Sequence, residues 1–207
     1  EYDITMLFNR FMINNTKYEI LTPNGFVDFD GIKKLQKDKY FEIESMFSVF
    51  HDDALRMLKP FLNKNSRIKI ASRTVIDNPI LVRKIIKMNL ETIISLGMWN
   101  KKTLPFLKKK KIKYLWCKST YPNSINDLKK FPKVFNNKYY YGFSDHTIGI
   151  ETALIAISRG ANIIEKHFTL DKSNTTIRDH TLSSTPEEFQ NLVEIGNDIN
   201  RKIKSGI

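Results

Sequence analysis

"YYYGFSDHTIGIETALIAISRGANIIEKHF", Tyr139 to Phe168, is the stretch on which the fold turns. The aromatic-led run Tyr139–Phe143 reads as a strand, Gly149–Ser158 as a buried helix, and Asn162–Phe168 as a second strand. A helix between two strands returns the chain to the same end of a sheet, so the two strands must be parallel.

The same rhythm extends outward in both directions. Ser45–Val49, Arg67–Ala71, Thr92–Leu96 and Ile112–Cys117 are further apolar or β-branched runs. Helices are predicted over Asp52–Leu62, Pro79–Met88, Lys101–Lys109, Ser124–Val134 and Pro186–Lys204. The last has the clearest start, with Thr185 as N-cap, Pro186 at the first helical position and Glu188 at the third.

Strand–helix alternation of this kind allows an open doubly wound sheet or a closed barrel. Neither a G-x-G-x-x-G turn nor a P-loop pattern is present, and polar residues gather at the carboxyl end of each predicted strand. They are Ser48, Lys69 with Ser72, Ser95, Ser119 with Tyr121, Ser144 with His146, and Glu165 with His167. One chemically equipped end favours an α/β fold of the TIM (β/α)8 type.

Such a barrel has eight strands, and the periodicity supplies six. The segment up to Lys37 holds the apolar clusters Met6-Leu7-Phe8 and Phe11-Met12 but no second clear strand–helix unit. The expected organisation is a divergent N-terminal segment, residues 1–44, followed by barrel strands three to eight over residues 45–207, with the first two strands lacking.

Composition narrows the function classes. Of 207 residues, 41% are hydrophobic, enough for one sizeable core. No apolar run reaches the roughly 18 residues of a membrane span. The start Glu1-Tyr2-Asp3 lacks the basic character of a signal peptide, and a cytoplasmic protein is expected. Cys117 is the single cysteine, which excludes an internal disulfide or a cysteine metal cluster. The net charge of +12 would attract phosphates, nucleic acids or anionic metabolites. With the lysines spread along the chain and no stacking-aromatic motif, nucleic acid is the less favoured partner.

Alternation on a strand puts Ser144 and His146 on one face and Phe143 and Asp145 on the other, and likewise pairs Glu165 with His167. If the two strands are neighbours, both histidines reach the barrel mouth, where they could share a divalent metal or serve as a core residue and a helix cap.

The run Gly142–Lys172, "GFSDHTIGIETALIAISRGANIIEKHFTLDK", resembles the signature of the N-acetylneuraminate (sialic acid) synthase family, which includes legionaminate and pseudaminate synthases. "KIAS" at Lys69–Ser72, "SLGM" at Ser95–Met98, "STYP" at Ser119–Pro122 and "RDHTLSSTPEEF" at Arg178–Phe189 are further matches in order. The resemblance implies a TIM barrel, usually followed by an antifreeze-like domain that this chain is expected to lack. It also implies condensation of phosphoenolpyruvate with an N-acylated amino sugar such as N-acetylmannosamine. His146 and His167 are implied as ligands of a divalent metal, commonly Mn2+, with Mg2+ or Co2+ as alternatives; these two and Glu165 are the implied catalytic residues. Lys69, Ser72, Ser95, Ser119 and Ser144 match the phosphoenolpyruvate pocket, and Tyr121 and Asp179 match sugar contacts. A homo-oligomer, expected as a dimer, completes the implied picture.

The chain departs from that pattern at Val49, where a phosphate-binding threonine is common, at Thr74, where an acidic residue is common, and at Ser119, where asparagine is common. A valine side chain donates no hydrogen bond. These changes keep open a second reading, a catalytically inactive barrel that binds a partner.

Overall fold

The computed structural model describes residues 5–9, 46–106, 111–135, 138–173 and 178–206. Seven parallel strands form one sheet: β1 (Thr5–Asn9), β2 (Phe47–Ser48), β3 (Arg67–Ile70), β4 (Glu91–Ser95), β5 (Ile112–Cys117), β6 (Gly142–Asp145) and β7 (Ile163–His167). Their order is β1-β7-β6-β5-β4-β3-β2. Among the described residues the α-helices are α1 (Asp52–Leu58), α2 (Ser72–Asp77), α3 (Pro79–Lys87), α4 (Glu151–Ser158) and α5 (Pro186–Lys204). Among the described residues no helix is long and apolar enough to cross a membrane.

The sheet is curled, and its side chains demonstrate this. Neighbouring strands lie about 4.8 Å apart, so β3 and β7, four spacings from each other, would be roughly 19 Å apart in a flat sheet. Yet Lys69 Nζ on β3 lies 3.1 Å from Glu165 Oε1 on β7. Only a sheet bent toward closure brings these inward-facing groups together, as a (β/α)8-type barrel requires.

Alternation then sorts the residues into two layers. Outward, Ile68, Ile70 and Ile94 pack with Leu55, Leu58, Val75, Leu81, Val82 and Ile85 of the helices. Phe143 and Ile164 pack likewise with Ala153, Ala156, Ile157 and Leu192. Inward, Ile93, Leu115 and Ile163 form an apolar tier, and the polar tier of the site lies nearer the strands' carboxyl ends. Gly142 belongs to this close packing, because a Cβ there would stand 2.1 Å from the Ile163 carbonyl oxygen.

All six predicted strands are present, with Ile112–Cys117 matching end to end. Among the described residues the count is corrected to seven, because Met6-Leu7-Phe8 is the middle of β1, which pairs in parallel register with β7. The cluster Phe11-Met12 lies outside the described residues. The strand predicted at Tyr139–Phe143 is instead Gly142–Asp145, so Ser144 and Asp145 are within the strand rather than beyond it.

Two predicted helices are corrected. Over 101–106 the chain forms turns, and residues 107–110 lie outside the described set. Pro105 biases the preceding residue away from helical geometry, and Phe106 takes a φ of +55°. Over Ser124–Val134 only a 3-10 turn, Ile125–Asp127, forms. Ser124 donates to Asp127 Oδ2 from both N and Oγ, which closes a tight turn. Farther along, Phe131 packs edge-on against Trp116 and Phe143 in a loop that Pro132 follows. By contrast α5 starts as its sequence predicts, with the Thr185–Glu188 capping box formed in both directions.

Candidate active site

The polar tier centres on a buried charge pair. Lys69 and Glu165 are only 3% and 2% exposed. The Lys69 ammonium donates to Ser95 Oγ at 2.9 Å and to the Ile70 carbonyl at 3.2 Å, besides its contact with Glu165. Ser95 Oγ in turn donates a hydrogen bond to Glu165 Oε2 at 2.9 Å. Burial alone would push the Glu165 carboxyl up, but the Lys69 charge and hydrogen bonds from Ser144, Lys69 and Ser95 hold it below the usual carboxylate range. β3, β4, β6 and β7 thus each contribute one residue to a single network.

The histidines stand one alternation farther toward the mouth. Their ring centroids are 5.3 Å apart, and the Tyr121 ring lies 4.2 Å from His146 and 6.1 Å from His167. His146 Nδ1 is 3.0 Å from the Lys118 carbonyl. A carbonyl only accepts, so Nδ1 carries a proton, and in the neutral ring Nε2 keeps its lone pair. His167 Nδ1 lies 4.0 Å from Asp179 Oδ2. Burial lowers the basicity of His146, but the Cys117 sulfur, the Lys118 carbonyl and the Glu165 charge outweigh it and the net shift is upward.

Two facing imidazoles are donors of the kind a divalent ion takes. Among the described residues no group of three His, Cys, Asp or Glu side chains is placed to hold an ion. His146 and His167 are the two imidazoles that could hold an ion, each with a second partner near Nδ1.

Ser72 stands at the start of α2, where its Oγ accepts from Gly97 N at 2.8 Å. Gly97 lets the loop after β4 approach that after β5, since a Cβ would stand 2.3 Å from Ser119 Oγ. Ser119 is therefore beside the Ser72–Gly97 turn and 4.0 Å from Cys117 Sγ. The other two departures also have clear places: Val49 is buried in the outer apolar layer, and Thr74 Oγ1 is buried without a hydrogen-bond partner.

The profile of the NeuB family matches residues 14–207. The chain belongs to the NeuB family. It is 31% identical over 207 residues to the N,N'-diacetyllegionaminic acid synthase of Legionella pneumophila, covering 93% of this chain and 57% of that protein. The corresponding Campylobacter jejuni synthase is 37% identical over 151 residues, or 67% of this chain and 45% of its own length. The chain thus spans about half the length of these curated relatives. Among solved structures, the N-acetylneuraminic acid synthetase of Leptospira borgpetersenii superposes with a TM-score of 0.61 at 30% identity, over 75% of this chain and 56% of that one.

Sequence reasoning passed over one residue of this NeuB-family site and one buried charge behind it. Cys117 Sγ lies 3.6 Å from His146 Nδ1, and alternation from Leu115 toward the interior could have found it. Lys166, between Glu165 and His167, is 1% exposed and pairs with Asp145 at 3.0 Å. A lysine flanked by Ile164 on the helix-facing side of a strand was the available signal.

Proposed function

We propose that the chain carries the reaction centre of a sialic-acid-type synthase, which condenses phosphoenolpyruvate with an N-acylated amino sugar such as N-acetylmannosamine to a nonulosonic acid and phosphate. The observation that supports this most is the buried Lys69–Ser95–Glu165 network below the paired rings of His146 and His167. Two anionic groups on one small substrate call for a fixed cation and directed hydroxyls. Lys69 with Ser95 and Ser144 supplies these on one side, and Ser72 and Ser119 on the loops above.

His146 and His167 would hold a divalent ion, expected to be Mn2+, and the ion would polarise the sugar's aldehyde oxygen. Glu165 keeps Lys69 and Ser95 oriented. Tyr121 and Asp179 flank the histidines where the sugar would approach. In the reaction, the methylene carbon of phosphoenolpyruvate bonds to the aldehyde carbon, the aldehyde oxygen takes a proton, water adds at the enol carbon and phosphate departs. A homo-oligomer belongs to this reading, and light scattering checks it.

The test is phosphate release from phosphoenolpyruvate and N-acetylmannosamine with Mn2+, comparing the wild-type chain with His146→Ala and His167→Ala. Release that either substitution abolishes supports the reading. Mn2+ binding without release would favour the inactive, partner-binding barrel, a reading that Val49 supports because its apolar side chain lies in the outer core and offers no donor.

A further inference from the structure

The outer faces of the two histidine-bearing strands carry a second, fully buried charge pair that the proposed chemistry does not use. Asp145 and Lys166 are 0% and 1% exposed on the helix-facing side, where Phe143 and Ile164 fill the alternate positions. An ion pair in such a place loses most of its hydration, and apolar residues of similar size would stabilise the fold as well or better. Its geometry shows what it accomplishes instead.

Asp145 and Lys166 are register partners across β6 and β7, and each immediately precedes a histidine. Lys166 Nζ donates to Asp145 Oδ2 at 3.0 Å and to the Thr147 carbonyl at 2.6 Å. Asp145 Oδ1 accepts from Thr147 N at 2.8 Å and from Thr147 Oγ1 at 2.7 Å. Thr147 is held at its amide, hydroxyl and carbonyl, and His146 lies between two anchored residues. The His146 carbonyl is itself fixed by Asn123 N at 2.9 Å. The one cation therefore ties the turn carrying His146 to the strand carrying His167.

We propose that Asp145, Lys166 and Thr147 form a clamp that sets the separation of the two imidazoles, and that these three are positioning residues for the divalent-ion site. The inference rests on the reading that His146 and His167 bind such an ion. Ordering groups behind metal-binding histidines commonly govern affinity by about 10–100-fold.

The test is the double variant Asp145→Leu with Lys166→Met, which removes both charges together and so leaves neither one buried alone. Its thermal midpoint is expected to equal or exceed that of the wild type, while Mn2+ affinity, measured by electron paramagnetic resonance, falls at least about tenfold. Unchanged midpoint with unchanged affinity would overturn the clamp. Should the double variant fail to fold, Thr147→Val leaves the ion pair and removes one bond to the turn, and it is expected to weaken Mn2+ by a smaller factor; wild-type affinity there overturns the proposal equally. If the wild-type chain itself binds no Mn2+, the metal reading fails separately. Crystal structures of wild type and variant then decide the clamp, which requires the two rings to shift apart or rotate when the pair is removed.

Discussion

Glu165 shows how a single residue's chemistry follows from its surroundings. It is ionised in the interior because Lys69, Ser95 and Ser144 replace the water it lost. Its folded pKa is depressed, so the unfolded chain binds the proton more tightly. The stabilisation is complete above the unfolded carboxyl pKa of about 4.3 and is lost as pH falls toward the folded value. Glu165→Gln is therefore expected to be less stable than the wild type at neutral pH and to lose less of its stability on acidification below about pH 4.3, measured by urea unfolding across a pH series. Lys69→Met leaves the carboxylate buried without its counter-charge, at an expected cost of about 3–5 kcal/mol in the same measurement. That Ser144 shares a face with His146, and Glu165 with His167, was legible from the two-residue period. The convergence of Lys69 with Glu165 was not, because strands four places apart meet only through curvature that no local pattern encodes.

At the scale of elements, legibility followed the strength of local signals. α5 begins where Thr185, Pro186 and Glu188 specify it, and Thr185→Ala is expected to lower stability by about 1 kcal/mol, read as a reduced thermal midpoint with the phosphate-release assay unaffected. The segments at 101–106 and 124–134 have apolar residues at helix-like spacing, yet Pro105 and the Ser124–Asp127 turn override it. β1 was missed as a strand because its five residues lack a following helix signal, and its partner β7 lies at the other end of the chain. The loops after β4 and after β5 touch only because residue 97 has no side chain. Gly97→Ala is expected to push Ser119 away, which should raise the KM for phosphoenolpyruvate more than it lowers kcat.

Across the whole molecule, the interior polar tier acts as a tie between opposite walls. Lys69 and Glu165 belong to strands that share no backbone hydrogen bond, and their contact spans the curled sheet. Loosening it on one wall should be felt on the other. In Lys69→Met, amide hydrogen exchange is expected to accelerate in Ile164–His167 as well as in Ile68–Ile70, whereas an effect confined to β3 would show that the walls are held independently. The family match explains why the motif residues were the most legible part of the site: the histidine and glutamate positions are spaced by strand geometry, while Cys117 and Lys166 matter through contacts visible only after folding.

The two faces of β6 and β7 carry a consequence for how this sequence can change. Each histidine sits directly after a member of the buried ion pair, so inserting or deleting one residue before Ser144 or before Glu165 would send the interior-facing side chains outward and a charge inward. The site cannot drift by small shifts in one strand. Variation at 145 is tolerable chiefly when 166 changes with it, which makes the two strands a single heritable unit, with the imidazoles on one side and their counterweights on the other.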